Sequence, residues 1–137
     1  MKIAISGSMI FSKEMIDIAD KLKQNSNEVI LPYDSEKYAD GILTSETSNE
    51  SIKNKINNDL IRDYFNKIKN ADAVLVVNFY KNGIENYIGG NSFLEIGFAH
   101  VLNKKIFLLN NIPVMPYDDE IKAMQPVILN GDLFKIK

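Results

Sequence analysis

The sequence predicts an α/β fold, a single-domain three-layer sandwich in which helices cover both faces of a mostly parallel sheet of four to five strands. Apolar segments typical of strands alternate along the chain with segments of helical periodicity. Two strand-like segments, DAVLVVNF (72–79) and KIFLLN (105–110), are continuously apolar, as expected of strands buried on both faces. This alternation suits a flavodoxin-like or Rossmann-like arrangement.

The N-terminal part of the chain contains two predicted strands with a helix between them. KIAISG (2–7) is a short apolar run ending in glycine, and EVILPY (28–33) has the composition of a second strand. Between them, SKEMIDIADKLKQ (12–24) has apolar residues at helical spacing, and Ser12 is suited to cap its N-terminus. The polar segment at 34–49 is predicted to be irregular.

A long helix is predicted over about 50–69, because its apolar residues form one stripe. The members of that stripe are Ile52, Ile56, Leu60, Tyr64 and Ile68. The remaining predicted elements are the strand at 72–79, a loop at 80–91, a helix ending at about Asn103, the strand at 105–110, a short helix at 119–125 and a last short strand at 126–131. Helices therefore separate most successive strands, as parallel pairing requires.

Polar residues and glycines gather where the predicted strands end. Parallel strands bring their carboxyl ends to one edge of a sheet, and ligands of such sheets bind beyond that edge. The ends are Gly7-Ser8, the loop after Tyr33, Asn78 with the loop through Asn91, and Asn110-Asn111. The sequence therefore predicts a ligand site at this edge.

Composition excludes several classes of function. The chain has 137 residues, is 45% hydrophobic and 25% charged, and carries a net charge of −2, so it lacks the basic field that binds nucleic acid polymers or anionic membranes. Without cysteine it has no thiolate nucleophile or ligand, and with His100 as its one histidine it has no multi-histidine metal site. No run reaches the roughly 20 apolar residues of a membrane span. The N-terminus lacks signal-peptide features, so we expect a cytoplasmic protein.

The segment SGSMIF (6–11) follows the first predicted strand. Gly7 would let a ligand approach the backbone, and the N–H groups of Ser8 and the following helix could hold an anion. The full G-x-G-x-x-G pattern and the phosphate-loop lysine are absent. Ligand binding and an ordinary strand-to-helix turn therefore explain this segment equally well.

The segment GGNSFLEIGFAHVLNKK (89–105) contains one carboxylate, Glu95, near a predicted helix start. Asn91 or Ser92 could cap this helix, which would place Glu95 in its first turn, where the helix dipole favours an acidic residue and keeps it ionised. Glu95 also lies about 100° from Leu94, at the edge of the predicted buried stripe. That stripe is Leu94, Phe98, Val101 and Leu102. A purely decorative glutamate more often points outward, so Glu95 is a candidate nucleophile.

Residues 89–109 resemble the active-site loop, helix and strand of nucleoside 2-deoxyribosyltransferases and the related 2′-deoxynucleoside 5′-phosphate N-hydrolases. A glycine-containing loop in that family leads into x-E-[IL]-G-x-A, which matches this chain most specifically over Asn91 to Ala99. ISGS (5–8), IKNADAVLVVN (68–78) and IKAM (121–124) are similar to other family segments. The resemblance implies one domain of this type over residues 1–137.

In that family the glutamate is a nucleophile that attacks the sugar C1′ and expels the base. The resemblance assigns this role to Glu95, and a second base or water then resolves the glycosyl-enzyme. The residue type fits, because cleavage of an N-glycosidic bond passes through an oxocarbenium-like state that a carboxylate stabilises and can trap. A second acid should protonate the leaving base.

This chain has no acidic residue at the position that corresponds to the family's second acid. Counting back from Asp72 to its usual position gives Tyr64, with Asp63 adjacent. Tyr64 lies on the predicted apolar stripe, where core packing explains it at least as well as catalysis. We therefore expect Asp63 or Tyr64 to assist the leaving base or the sugar.

Two further family features are missing. An acidic residue often precedes the nucleophile where this chain has Gly89, and transferases often carry a tyrosine in the first strand where this chain has Ala4 and Ile5. Tyr80 or Tyr87, from the loop that we expect to cover the site, could take the place of that tyrosine.

Two polar residues outside the main motif, Lys122 and Asn78, are candidate substrate contacts that also have simpler explanations. Lys122 matches a position from which relatives contact substrate in the neighbouring subunit, and a lysine would suit a 5′-phosphate, although an exposed helix lysine needs no special role. Asn78 is either a ligand contact or a residue that ends its strand. The resemblance also implies a homodimer or higher homo-oligomer.

The sequence thus leads to two hypotheses from different classes. The first is cleavage or transfer at the N-glycosidic bond of a nucleoside or nucleoside 5′-monophosphate through a covalent sugar on Glu95, with no cofactor or metal. Asp63 and Tyr64 assist, and the substrate-binding residues are Gly7, Ser8, Asn78, Gly89, Gly90, Asn91, Ser92 and Lys122. The alternative is a non-catalytic nucleotide-binding or sensing module on the same fold.

Overall fold

A computed structural model describes residues 1–44 and 47–137 and contains a five-stranded, all-parallel sheet. The strands are β1 Lys2–Ser6, β2 Glu28–Ile30, β3 Ala73–Val76, β4 Lys105–Leu108 and β5 Val127–Ile128. Their order across the sheet is β2-β1-β3-β4-β5. This order is that of flavodoxin-like folds, so the predicted fold class is confirmed.

Helices cover both faces of the sheet. They are α1 Ser12–Gln24, α2 Ser35–Ala39, α3 Ser48–Asn57, α4 Leu60–Lys69, α5 Gly90–Val101 and α6 Asp118–Ala123, and short 3₁₀ turns lie at Met9–Phe11 and Leu133–Lys135. Ile3 and Ile5 of β1 pack with α1 on one face. Ala4, which lies between them, packs on the other face with buried residues of α4, α5 and α6. This alternation is expected of a strand whose side chains point to opposite faces.

The chain changes direction across the sheet between β1 and β3. From β1 the chain passes to β2 on one side and later returns to β3 on the other, and β1 pairs with both. In the register of β1 and β3, Ser6 lies opposite Val76. The loops that leave these two strands diverge, and the resulting crevice is where ligands of such folds bind.

The prediction of one continuous helix over 50–69 is wrong. α3 ends at Asn57 and α4 begins at Leu60, because Asp59 takes a left-handed conformation with φ of 48°. Asparagine and aspartate tolerate that conformation better than other non-glycine residues, so Asn58 and Asp59 can turn the chain here. The predicted stripe is accordingly buried only at Tyr64 and Ile68.

α3 does not enter the core. None of its residues is buried, and Ile52 and Ile56 are 52% and 72% exposed. Thr47 caps this helix by accepting a hydrogen bond from the backbone N–H of Glu50 at 3.2 Å. α3 is therefore a surface helix next to α4, contrary to the buried position that its apolar spacing predicted.

Two smaller expectations also differ from the structure. Ser12 does not cap α1, since it is the first residue of that helix and is itself buried. Within the segment predicted to be irregular, Ser35–Ala39 form α2, and residues 45 and 46 of that segment lie outside the described part of the chain. At the start of α2, the Ser35 hydroxyl donates to the backbone carbonyl of Pro32 at 2.5 Å.

Candidate active site

A cleft opens at the carboxyl end of β1, between α4, α5 and the loop that follows β2. The cavity within it has a volume of about 120 Å³. The lining residues are Gly7, Met9, Pro32, Tyr33, Asp34, Tyr38, Asn54, Lys55, Leu60, Ile61, Asp63, Tyr64, Asn91, Leu94, Glu95 and Phe98. Gly7, Asp63, Tyr64, Asn91 and Glu95, all predicted from the sequence, are thus brought together.

The start of α5 differs from the prediction, and this changes the surroundings of Glu95. The helix begins at Gly90 with Gly89 as its N-cap, so Asn91 and Ser92 do not cap it. No acidic residue lies in the first turn. The expectation that the helix dipole acts on Glu95 is therefore wrong, because that effect fades beyond the first turn.

The buried face of α5 is also rotated from the predicted one. Leu94 and Val101 are 45% and 74% exposed, whereas Ser92, Ile96 and Ala99 are buried. Glu95 follows Ser92 by three residues and precedes Ala99 by four, which places it on the same side of the helix. Glu95 consequently faces inward, towards the end of β1.

Within residues 1–44 and 47–137, one hydrogen bond holds the Glu95 carboxylate. The hydroxyl of Ser6 donates to Oε1 at 2.6 Å. Burial raises the pKa of Glu95 from 4.5 to about 7, and the hydrogen bond from Ser6 opposes part of that rise by favouring the ionised form. The pKa of Glu95 therefore lies near neutrality, above the value expected of a carboxylate that a helix dipole keeps ionised.

Sequence reasoning missed Ser6. It is the last residue of β1, is 0% exposed, and lies 3.1 Å from the Ser92 hydroxyl as well as 2.6 Å from Glu95. The available signal was one polar residue at the end of an otherwise apolar buried strand. Such a residue must find a polar partner, since an unpaired buried hydroxyl is costly.

Tyr64 serves both the core and the cleft. Its side chain is buried, and its hydroxyl donates to the backbone carbonyl of Ile5, next to Ser6. Burial raises the pKa of Tyr64 well above its usual value, and the nearby charges of Glu95 and Asp63 raise it further. Tyr64 therefore keeps its proton and supports the end of β1 while its ring lines the cleft.

Asp63 lies at the cleft without being buried. Its Oδ2 is 2.9 Å from the ammonium of Lys67, one turn further along α4. Lys67 also lies over the ring of Tyr64, 5.7 Å from its centre. The Asp63 side chain is 46% exposed, so its carboxylate is in contact with solvent.

A second cavity adjoins the cleft and is lined by Gly89 and Gly90, which were predicted to bind substrate, and by two lysines. It shares Gly7, Met9, Tyr38, Lys55 and Asn91 with the cleft, and its further lining residues include Ser8, Lys81, Tyr87, Gly89, Gly90 and Ser92. The ammonium of Lys81 donates to the Ser8 hydroxyl at 2.8 Å and lies 5.3 Å from the centre of the Tyr87 ring. Sequence reasoning missed both lysines, which come from α3 and from the loop after β3.

The close packing of Tyr87 explains why position 89 is a glycine. A Cβ at this position would lie 3.2 Å from the ring of Tyr87 and 3.4 Å from its hydroxyl oxygen. The missing side chain therefore lets Tyr87 pack against the start of α5, beside Lys81. Of the two tyrosines predicted to cover the site, Tyr87 lines the second cavity, whereas Tyr80 is 60% exposed and lines neither cavity.

Asn78 and Lys122 line neither cavity. Asn78 is fully buried, donates to the backbone carbonyls of Asn110 and Asn111 at 3.1 and 3.0 Å, and accepts from the Asn110 N–H at 2.9 Å. It joins the loops after β3 and β4, which supports its alternative role as a residue that ends a strand. Lys122 is exposed on α6, and its proposed contact with a neighbouring subunit's site stays a prediction.

Within 1–44 and 47–137, no three or more histidine, cysteine, aspartate or glutamate side chains are grouped so that they could hold a metal ion. Across the same residues, no helix combines the length and the apolar composition that a membrane crossing requires.

Comparison with known proteins gives a structural similarity without a sequence match. No protein-family model matches the chain, and no curated protein matches it in sequence. Its structure is similar to that of the Clostridium botulinum CMP N-glycosidase BcmB, with a TM-score of 0.52, 15% sequence identity, and coverage of 95% of this chain and 90% of that chain. At this identity, the similarity establishes the shared α/β fold.

Proposed function

We propose that this protein cleaves the N-glycosidic bond of a nucleoside 5′-monophosphate, with Glu95 as the nucleophile. The observation that carries the proposal is the Glu95 carboxylate, which is held by Ser6 in a cleft at the switch point of a flavodoxin-like sheet. A carboxylate in such a place suits attack on a sugar carbon. The shared fold with a CMP N-glycosidase supports the same reaction class.

The proposed reaction has two displacements at C1′. Ionised Glu95 forms a bond to C1′ while the C1′–N bond breaks, and the base leaves with that electron pair and takes up a proton. Water then attacks C1′ of the glycosyl ester, loses a proton, and releases the sugar phosphate and the free carboxylate. A second base in place of water would give a new nucleotide, so hydrolysis and transfer differ only in the acceptor.

We assign the proton transfer to Asp63 and a supporting role to Tyr64. Asp63 lines the cleft with its carboxylate open to solvent, so it can relay a proton from water to the leaving base. The Tyr64 hydroxyl is already bonded to the Ile5 carbonyl and holds its proton tightly. Tyr64 therefore suits packing against the substrate better than acid catalysis.

The second cavity fits the 5′-phosphate. Lys55 and Lys81 line it and supply positive charge, and Ser8 supplies a hydroxyl. The cavity also includes Gly89 and Gly90, at the N-terminus of α5, where the first backbone N–H groups of a helix attract anions. Because this cavity adjoins the cleft with Glu95, one nucleotide can place its phosphate here and its C1′ near Glu95.

Replacing Lys81 with methionine should discriminate phosphorylated from unphosphorylated substrates. Methionine keeps much of the apolar length but loses the charge, so the KM for a 5′-monophosphate should rise about tenfold or more. The KM for the matching nucleoside should change little. Steady-state base release measures both, with Lys23→Met on the exposed side of α1 as the matched control. If the KM values for nucleotide and nucleoside change equally, Lys81 does not bind the phosphate.

The experiment that tests the proposed function is chromatographic detection of free base. The protein is incubated with nucleosides and 5′-monophosphates, in ribo and deoxy forms, with cytidine 5′-monophosphate tested first. We expect base release from at least one monophosphate, and a new nucleotide when a second base is added would indicate transfer. If no base is released while a nucleotide still raises the melting temperature, the protein is a nucleotide-binding module.

A further inference from the structure

The hydroxyl of Ser6 lies between two oxygen atoms and can donate to only one of them. Its oxygen is 2.6 Å from Glu95 Oε1 and 3.1 Å from the Ser92 hydroxyl oxygen. The shorter distance and the stronger acceptor both favour donation to the carboxylate, since hydrogen bonds to ionised oxygens are the shorter ones. The Ser92 hydroxyl is then the donor to Ser6. The hydrogen bonds therefore run in one direction, from Ser92 through Ser6 to Glu95.

The two oxygens of Glu95 have different surroundings. Oε1 accepts the hydrogen bond from Ser6, whereas no side chain or backbone N–H among residues 1–44 and 47–137 donates a hydrogen bond to Oε2. Among these residues Oε2 therefore has no hydrogen-bond donor, and Glu95 lines the cleft. A hydrogen bond stabilises the electrons of the oxygen that accepts it, so the unbonded oxygen is the better nucleophile.

We propose that Ser6 is a positioning residue that fixes Oε1 of Glu95 and leaves Oε2 as the atom that attacks C1′ of the substrate. This inference rests on the proposed N-glycosidic cleavage. In the attack, the Oε2–C1′ bond forms as the C1′–N bond breaks with its electron pair on the base. Oε1 becomes the carbonyl oxygen of the ester and still accepts the hydrogen bond from Ser6, whose own proton does not move.

The position of Ser6 makes it suitable for this role. It ends β1, which is paired on both sides with β2 and β3, so its backbone cannot shift without disturbing the sheet. Its side chain is fully buried and has a single carbon–carbon torsion, so it loses little freedom when it is ordered. A short side chain on a rigid strand holds a nucleophile more accurately than a long one on a loop.

Several ionisable groups besides Glu95 line the same cleft. From α4 they are Tyr64 and Asp63, from α3 Lys55, and from the segment after β2 Tyr33, Asp34 and Tyr38. The opposing influences on the pKa of Glu95 are burial, which raises it, and the Ser6 hydrogen bond, which lowers it. Loss of the Ser6 hydroxyl would leave the effect of burial unopposed and raise the pKa of Glu95 further.

The test compares Ser6→Ala with the wild type and with Ser12→Ala, a matched control at another buried serine that lies outside both cavities. The first readout is the titration of the Glu95 side-chain carboxyl by carbon-13 NMR, with Glu95→Gln used to assign the signal. We expect the Ser6→Ala midpoint to rise by about one pH unit and the control midpoint to stay at the wild-type value. This readout needs no substrate.

The second readout is the pH dependence of base release. In Ser6→Ala, the rise of kcat with pH should move to higher pH, and kcat at pH 7 should fall about tenfold with little change in KM. Ser6→Thr keeps the hydroxyl on a residue suited to strands, so it should restore the wild-type profile. If Ser6→Ala does not fold, Ser6→Cys, a weak donor of similar size, should show a smaller shift in the same direction.

The two readouts separate the failure of this inference from the failure of the proposed function. If the wild type releases base while Ser6→Ala is folded and has the wild-type midpoint and kcat, the positioning role is wrong and the proposed function stands. If the wild type releases no base from any substrate, the proposed function and the proposed attack by Oε2 are both wrong. The NMR titration then still decides whether Ser6 holds Glu95.

Discussion

Glutamine in place of Glu95 should lower the rate of base release by about a thousandfold or more. The amide keeps the shape of the side chain and can accept the hydrogen bond from Ser6, but it has no negative charge and cannot form a stable bond to C1′. The loss should therefore appear in kcat, while the affinity for the nucleotide changes little. Chromatographic rates over hours, with binding followed separately by calorimetry, measure both quantities.

The matched control for this substitution is Glu85→Gln. Glu85 is exposed in the loop between β3 and α5, lines neither cavity, and undergoes the same change in charge. Its variant should release base at the wild-type rate. Base release by Glu95→Gln within about tenfold of the wild type would rule out Glu95 as the nucleophile.

The second large effect concerns stability, because the same substitution should stabilise the protein at alkaline pH. Burial raises the pKa of folded Glu95 from 4.5 to about 7, so below 4.5 the carboxyl is protonated whether the chain is folded or not. As the pH rises from 4.5 through 7, the unfolded chain loses this proton more readily, and the wild type loses stability. Glutamine does not titrate and avoids that loss.

Between pH 4.5 and pH 8.5, we expect the free energy of unfolding of Glu95→Gln to increase relative to that of the wild type by on the order of 2 kcal/mol. This value allows for partial solvent screening of the carboxylate. Urea denaturation of both proteins at the two pH values measures it. The change in unfolding free energy with pH is compared between the two proteins, so the contributions of the other titrating groups cancel. If the difference in unfolding free energy between the variant and the wild type is the same at both pH values, Glu95 has an ordinary pKa, whether or not the protein is an enzyme.

The sheet was predictable because its strands are marked by continuous runs of apolar residues. Val74 to Val77 and Ile106 to Leu109 are buried on both faces of the sheet, and such runs leave little alternative to a central parallel strand. The break between α3 and α4 was not predictable in this way. Asn58 and Asp59 are compatible with a helix, and only the left-handed conformation of Asp59 separates the two.

The orientation of α5 was harder to predict because the helix is apolar nearly all round. Leu94, Ile96, Phe98 and Val101 allow more than one buried stripe, and the sequence alone favoured the one that includes Leu94. In the structure Ile96 is buried and Leu94 is partly exposed. This rotation turns Glu95 inward and gives its carboxylate a raised pKa in place of the ionised state expected from the helix dipole.

The contacts that complete the candidate site join distant parts of the chain. Ser6 and Glu95 are 89 residues apart, and Ser8 and Lys81 are 73 residues apart. No local spacing relates such pairs, so the motif at Asn91 to Ala99 could indicate the nucleophile but not its partners. A serine at the end of β1 and two lysines on separate segments acquire a role only when the sheet brings them together.

The most direct test of the central claim is mass spectrometry of the protein during turnover. A substrate with fluorine at C2′ slows both displacements, because the electron-withdrawing atom destabilises the oxocarbenium-like state, and acid quenching preserves an ester. We expect a mass gain equal to that of the fluorinated sugar phosphate less one water on the peptide that contains Glu95, and no gain in Glu95→Gln. Release of base with no mass gain on that peptide would contradict the covalent mechanism.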